Sequence, residues 1–257
     1  MLNYCSNFNK LSKANYLRIC RYGSRSSRKQ GVEDYLKRQA NDYFSRLAKE
    51  HSYRARSAFK LLAINEKHKI IHPGDVVVDI GAAPGSWSQV AAELVYGGPA
   101  ISTDPVGHNQ ANDENTGYVL GVDIQPIVPL PRIDFIGQGD ITRKSTHEKI
   151  RKMLNGRSVD AIISDMAPNP TGNSFTDHLR IIELCRLLLH LAVKQSPPIL
   201  PLKPNSKFLC KIFDGELTDD FVKELQQHFK KVISVKPLAS RDTSSEKYLL
   251  AKNPILT

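Results

Sequence analysis

The sequence predicts a doubly wound α/β fold around a mostly parallel sheet, with one antiparallel edge strand. Three observations predict it. Short apolar runs of strand length alternate with longer amphipathic stretches of helical length. The first such run, Val76-Val77-Val78-Asp79-Ile80, leads through a glycine-bearing turn directly into a helix. The last two strands are joined only by Pro237–Glu246, too short for a helical crossover, so they pair antiparallel at the sheet edge.

The elements follow in order. Helices fit Val32–Lys49 and Ala55–Lys69, with Tyr35, Phe44 and Leu47, then Phe59, Leu62 and Ile64, as apolar positions. Pro73-Gly74 ends that segment, and the continuous apolar run Val76–Ile80 reads as a buried parallel strand. A helix over Ser86–Tyr96 comes next, and then a polar stretch, Gly97–Gly117, that reads as a surface insertion. Strands are expected at Tyr118–Val122, Phe135–Gly137, Val159–Ser164, Lys207–Ile212, Lys231–Lys236 and Lys247–Ala251. Helices fill the gaps at Thr146–Leu154, Asp177–Lys194 and Asp219–His228.

Composition narrows the classes. With 257 residues, 40% hydrophobic and 24% charged, the chain can bury a full core and is not of disordered type. No apolar run approaches the roughly 20 residues of a membrane helix, so stable membrane insertion is not expected. Cys5, Cys20, Cys185 and Cys210 have neither metal nor redox spacing and read as reduced thiols.

The net charge of +10 is unevenly placed. Residues 1–32 carry seven basic residues and no acid, residues 33–72 a net +4, and the remainder a net −1. The basic, Ser-bearing, mildly amphipathic stretch 1–32 reads as a mitochondrial transit peptide, leaving 33–257 as the functional domain. The same composition would serve a basic RNA-binding arm.

Ligands in open α/β sheets bind beyond the carboxyl ends of the strands. The turn after Ile80 reads Gly81-Ala82-Ala83-Pro84-Gly85-Ser86-Trp87, with glycines four apart. That is neither the dinucleotide fingerprint nor a P-loop. Gly81 and Gly85 permit close backbone approach to a ligand. Asp123 ends the second strand, where it can accept bonds from ribose hydroxyls. Asp140 follows the third, where it can accept from an adenine amino group. Lys60, Asp165, Lys211 and Glu246 are two lysines and two carboxylates in or beside predicted strand ends or helix turns. An α/β sheet would gather them on one rim.

From about Tyr53 to Ala251 the chain resembles the FtsJ-like (RrmJ) ribosomal RNA ribose 2′-O-methyltransferases. The resemblance rests on Tyr53-Arg54-Ala55-Arg56-Ser57-Ala58-Phe59-Lys60-Leu61 and Asp79-Ile80-Gly81-Ala82-Ala83-Pro84-Gly85-Ser86-Trp87-Ser88-Gln89. It continues through Ser164-Asp165-Met166-Ala167-Pro168-Asn169, Phe208-Leu209-Cys210-Lys211 and Ser240-Arg241-Asp242-Thr243-Ser244-Ser245-Glu246. It implies a Rossmann-like, seven-stranded methyltransferase sheet. S-adenosylmethionine is the implied donor, held by Gly81, Ala83, Pro84, Gly85, Ser86, Trp87, Asp123, Asp140 and Asp165.

Lys60, Asp165, Lys211 and Glu246 match the family's catalytic K-D-K-E tetrad. Together with the leader, the resemblance implies a uridine of mitochondrial large-subunit rRNA, or a pre-ribosomal particle, as partner in the mitochondrial matrix. The chain departs from the family at Asn205-Ser206, where a Gly-Gly turn is usual; Asn can still turn left-handed there. The Gly97–Gly117 insertion is also longer than a compact member needs.

Methyl transfer requires alignment of the acceptor oxygen and removal of its proton. Lys211, ending a buried strand, is the candidate base if it is held neutral. Burial and Lys60 favour that state, whereas Asp165 and Glu246 favour a charged, orienting Lys211. Asp165 is expected to hold Lys211, and Lys60 with Glu246 to position the ribose. Tyr53, Arg54 and Arg56 are expected at the RNA, by stacking and phosphate pairing, and Asn169, Pro170 and Thr171 along its groove. Cap or tRNA ribose methylation, a non-catalytic assembly factor and a nicotinamide-dependent oxidoreductase are the competing readings. The leader, the intact tetrad and the glycine spacing argue against them in turn.

Overall fold

A computed structural model describes residues 44–98, 117–237, 239–240 and 245–255. The proposed leader, most of the first expected helix and nearly all of the Gly97–Gly117 insertion lie outside the described residues, as do Arg241–Ser244. Helical turns over 44–50 precede α1 (Ala58–His68). The order then runs β1 (Val76–Ile80), α2 (Ser86–Tyr96), β2 (Tyr118–Val122), β3 (Asp134–Ile136) and α3 (Lys144–Leu154). It continues with β4 (Val159–Ser164), α4 (Ser174–Leu189), β5 (Leu202–Phe213), α5 (Thr218–His228), β6 (Phe229–Val235) and β7 (Glu246–Pro254).

The seven strands form one sheet in the order β3-β2-β1-β4-β5-β7-β6. Pairings from β3 through β5 are parallel, and β7 runs antiparallel to both β5 and β6. The expected antiparallel pair is present, with one refinement. β7 enters between β5 and β6, which leaves β6 on the rim. The strand order reverses between β1 and β4, so the two strand ends that lead to Gly81 and Asp165 are neighbours.

Period-two alternation divides the core into two layers. Val76, Val78 and Ile80 face Ile150, Ile181, Leu188, Phe221 and Leu225 of α3, α4 and α5. On the other face, Val77, Ile163, Leu209, Tyr248 and Leu250 pack under Leu61, Ile64, Trp87 and Val90 of α1 and α2. Each fully buried Leu, Ile or Val side chain contributes about 1.5–3 kcal/mol of transfer free energy. The face bearing α1 and α2 is the one that builds the site.

Several boundaries differ from expectation. Helix α4 starts at Ser174, because the Asn173 side chain accepts from Thr176 N–H at 3.0 Å and caps it, and it closes in a π-helical turn at His190–Lys194. Strand β5 begins at Leu202 rather than Lys207. Pairing with β4 shifts between Val159↔Leu202 and Ala161↔Lys207, so the intervening residues bulge, and Ser206 Oγ donates to Val159 O at 2.6 Å across the gap. Asn205-Ser206 is therefore part of an irregular strand, not a left-handed turn. Pro204 is tolerated because β7 pairs with β5 only from Lys207 onward.

Candidate active site

Four segments deliver the tetrad to one end of the sheet. Lys60 lies in the first turn of α1, Asp165 follows β4, Lys211 sits near the end of β5, and Glu246 opens β7. They form two ion pairs. Lys60 Nζ is 2.7 Å from Glu246 Oε1, and Lys211 Nζ is 3.1 Å from Asp165 Oδ1 while also donating to the Asp165 backbone carbonyl. Both lysines are nearly buried, at 9% and 8% exposed. The thiol of Cys185, in α4, donates to the Lys211 carbonyl at 3.3 Å and helps hold that strand end.

Tyr248 joins the two pairs. Its fully buried hydroxyl donates to Asp165 Oδ1 at 2.6 Å and lies 3.4 Å from Glu246 Oε1. Its ring stacks on Trp87 with centroids 5.6 Å apart, and Lys60 Nζ sits 5.9 Å over it. Burial, then Asp165 and Glu246, push the Tyr248 phenol well above its ordinary range, so it remains a donor. Sequence reading missed Tyr248. The available signal was its position two residues after Glu246, which places both on one face of a strand. Ser240, whose Oγ donates to Glu246 Oε1 at 3.0 Å, was likewise missed.

Burial alone would raise the Glu246 carboxyl. The charge and hydrogen bond of Lys60, the charge of Lys211 and the Ser240 hydroxyl outweigh it and lower the group overall. Glu246 thus stays an anion that anchors Lys60.

The glycine turn lies directly against this cluster. Gly81 has φ +82°, and a Cβ there would stand 2.3 Å from Met166 Cβ and within 2.9 Å of Met166 backbone atoms. Its close approach is thus to the residue after Asp165, which couples the turn to the tetrad. Gly85, at φ +109°, starts α2 beneath the Arg54 guanidinium. Asp123 accepts from Ala83 N–H at 2.8 Å and Gln125 N–H at 2.7 Å, which ties the end of β2 to the turn. Asp140 accepts from the Thr142 hydroxyl at 2.7 Å and Thr142 N–H at 2.9 Å, with Arg143 alongside. Those Thr142 hydrogen bonds hold its carboxyl below the usual range.

The packing around Ser86, Trp87, Tyr53 and Arg54 bears on their expected roles. Ser86 and Trp87 are each 2% exposed and face protein. Ser86 Oγ meets Ser57 Oγ at 2.8 Å, and Trp87 Nε1 donates to Ser57 O at 2.9 Å. Their side chains form the wall behind the turn. Tyr53 is not presented for base stacking, since its hydroxyl donates to Glu93 and its ring packs edge-on against Phe59. Arg54 donates to the carbonyls of Pro84, Val128 and Pro129 and so clamps the turn to the loop after β2.

Asp79 is a further residue that sequence reading did not assign. It points from β1 toward α2, is fully buried, and accepts from Ser88 Oγ at 2.7 Å, while its Oδ1 has no hydrogen-bond partner among the described residues. Burial raises its carboxyl to about 7. The Ser88 bond opposes that rise, and the charges of Asp165 and Asp123 add to it. Three acids gathered beside a glycine turn, two of them close enough to raise the third, suit a cationic ligand.

The model of the FtsJ-like methyltransferase family matches residues 53–254. The chain belongs to that family. It is a methyltransferase, and the family implies a methyl donor at the site. Among relatives, it is 44% identical over 222 residues to "rRNA methyltransferase 2, mitochondrial" of Caenorhabditis elegans, covering 86% of this chain and 94% of that protein. It is 39% identical over 226 residues to "Ribosomal RNA large subunit methyltransferase E" of Chromobacterium violaceum, covering 88% and 98%. A crystal structure of a ribosomal RNA methyltransferase from Plasmodium falciparum superposes with a TM-score of 0.64 at 25% identity, covering 80% of this chain and all of that one. In this FtsJ-like chain, the turn and the tetrad therefore occupy one continuous rim.

Proposed function

We propose that this protein transfers a methyl group from S-adenosylmethionine to a ribose 2′-hydroxyl of large-subunit rRNA. In this reading the target is a uridine of mitochondrial rRNA or a pre-ribosomal particle, and residues 1–32 direct the chain to the mitochondrial matrix. The observation that carries the chemistry is the pair of lysine–carboxylate bridges joined through Tyr248 and packed against the glycine turn. Two RNA methyltransferases among the relatives, one of them mitochondrial, support the substrate class.

The residues fit the donor on a specific point. The acid cluster of Asp79, Asp123 and Asp165, with its orphaned Asp79 oxygen, complements a ligand carrying both a sulfonium and an ammonium. Asp123 and Asp140 would take the ribose hydroxyls and the adenine amino group, and Gly81, Ala83, Pro84 and Gly85 would supply the close backbone. When bound, the donor supplies an electrophilic methyl on a positively charged sulfur. Lys60, fixed by Glu246, donates a hydrogen bond to the acceptor ribose. Lys211, held by Asp165, would take the 2′-hydroxyl proton once it has given up its own, leaving the ribose oxygen to accept the methyl. Tyr248 engages Asp165 and shares the carboxylate that would otherwise hold Lys211 alone.

The test is to incubate the full chain with methyl-labelled S-adenosylmethionine and a mitochondrial large-subunit rRNA transcript, then map the label. The expected result is label on the ribose of one uridine. Label on a base, or none on large-subunit rRNA in free or particle form, refutes the reading.

A further inference from the structure

A row of lysines crosses the sheet at the end away from the tetrad. Lys207 of β5 pairs with Lys252 of β7, and Lys252 pairs with Lys231 of β6. Directly opposed residues in antiparallel strands project from the same face. That face is the one covered by α1, since Leu209, Leu250 and Ile233, the next residues along, pack in the α1 layer. Helix α1 ends there. Lys252 Nζ donates to the His68 carbonyl at 2.8 Å, and Lys67 and Lys69 flank that terminus, exposed.

Glu66 is the nearest acid in the chain to Lys67 and Lys69, yet it forms no ion pair with the row. None of Lys67, Lys69, Lys207, Lys231 or Lys252 forms an ion pair with a carboxylate among the described residues. The fields there are set by lysines. Burial first, and then Lys207 and Lys231, lower Lys252; burial, then Lys252, Lys67 and Lys231, lower His68. Like charges in cross-strand register are destabilising. Two ordinary explanations cover only part of the row. Lysine on a rim strand guards against edge pairing, which accounts for Lys231 but not for Lys207 and Lys252 on interior strands. A cation at a helix C-terminus accounts for Lys252 at His68, but not for its two neighbours.

We propose that the Lys207–Lys252–Lys231 row, extended by Lys67 and Lys69, is a second phosphate-backbone contact for the RNA substrate, remote from the methylated nucleotide. The proposal rests on the reading of this chain as an RNA methyltransferase. The geometry links both regions to one ligand. From Lys60 to His68 is eight helical residues, about 12 Å. From Lys211 to Lys207 is four strand residues, about 13 Å. One folded RNA segment seated at the tetrad reaches the row along the same side of the molecule. Contacts of this type add affinity and salt dependence but no sequence reading.

The experiment compares the full-length wild type with a combined Lys207→Gln, Lys231→Gln, Lys252→Gln variant on a large-subunit rRNA transcript. Dissociation constants are measured against NaCl concentration, and kcat and KM are measured for the same RNA. The expected result is roughly ten-fold weaker binding near 0.1 M salt and a log–log salt slope shallower by about 2–3. KM for RNA rises, while kcat at saturating RNA and affinity for S-adenosylmethionine are unchanged. The matching Lys→Arg variant keeps wild-type binding. Unchanged affinity and slope in the Gln variant overturn the proposal, as does an Arg variant that loses as much as the Gln variant. Loss of binding to phosphatidylglycerol vesicles with RNA binding intact overturns it in favour of a membrane surface. If the triple variant does not fold, the rim change Lys231→Gln alone is expected to flatten the slope by about 0.7–0.9, and an unaltered slope overturns the proposal. A wild type that neither binds nor methylates the transcript overturns the substrate reading together with this one; a wild type that does both, beside unaltered variants, overturns the lysine row alone.

Discussion

Lys211, Tyr248 and Asp79 each carry a burden that side-chain identity alone does not reveal. If Lys211 must accept the ribose proton, Lys211→Ala nearly abolishes single-turnover methylation while cofactor and RNA affinity stay near wild type. Lys211→Arg fares little better, because a guanidinium is no base near neutral pH. Retention of most activity by the Arg variant would make Lys211 a cationic positioner instead. Tyr248→Phe keeps the ring stacked on Trp87 but removes the donor to Asp165. Such a bond is worth about 1–3 kcal/mol, so if it is made fully in the transition state the rate should fall roughly 5- to 160-fold, with a melting temperature lower by about 2–10 °C. Asp79 gives a pH signature. Its folded value of about 7 lies above the ordinary 3.8, so the folded state binds the extra proton. Stability therefore declines as pH rises from about 4 to about 7 and then levels, a loss on the order of a few kcal/mol. Calorimetric melting from pH 5 to 8 should show this decline in wild type and a flatter curve in Asp79→Asn.

Elements convert those residues into a site. The glycine turn is held at three points: by Asp123 at Ala83, by the Arg54 clamp at Pro84, and by the packing of Gly81 against Met166. Gly81→Ala meets both a left-handed backbone and a filled space, each costing about 1–3 kcal/mol. The expected outcome is a melting temperature lower by about 5–15 °C and loss of methyl transfer, because Met166 cannot shift without Asp165. Asp123→Ala should weaken S-adenosylmethionine binding more than Asp140→Ala. The first frees the turn as well as removing an acceptor, whereas the second disturbs a carboxylate held mainly by its own loop. Titration calorimetry on folded variants decides between them; equal affinities in both and in wild type would remove these acids from the cofactor site.

At the scale of the whole molecule, charge is distributed by task. The acids gather at the turn, the buried lysines of the tetrad are paired with carboxylates, and lysines without an ion pair among the described residues line the far end of the same face. The strongest basic excess lies in residues 1–32. Fused to a reporter, that segment is expected to carry it into mitochondria. Accumulation of the fusion in the cytosol or nucleus would count against the proposed localisation and in favour of an RNA-binding arm.

Much of this was legible in the sequence because it is local. Alternation of apolar runs and helical stretches defines the doubly wound sheet, and the spacing of Gly81 and Gly85 sets the turn apart from a nucleotide phosphate loop. The tetrad was legible because each member sits in its own short motif at an element end. What the chain could not disclose by itself depends on neighbours distant in sequence. Pro237–Glu246 implied an antiparallel pair, yet placing β7 between β5 and β6 required the whole sheet. That placement puts the Tyr248 hydroxyl 83 residues away on Asp165 and lines up Lys207, Lys252 and Lys231. The contacts of Tyr53 and Arg54 with Glu93, Pro84, Val128 and Pro129 were equally hidden, since none of these is adjacent to them in the chain. Periodicity and motif spacing report how each segment buries its own apolar face; which polar groups then satisfy one another is decided only when strands from opposite ends of the chain pair in register.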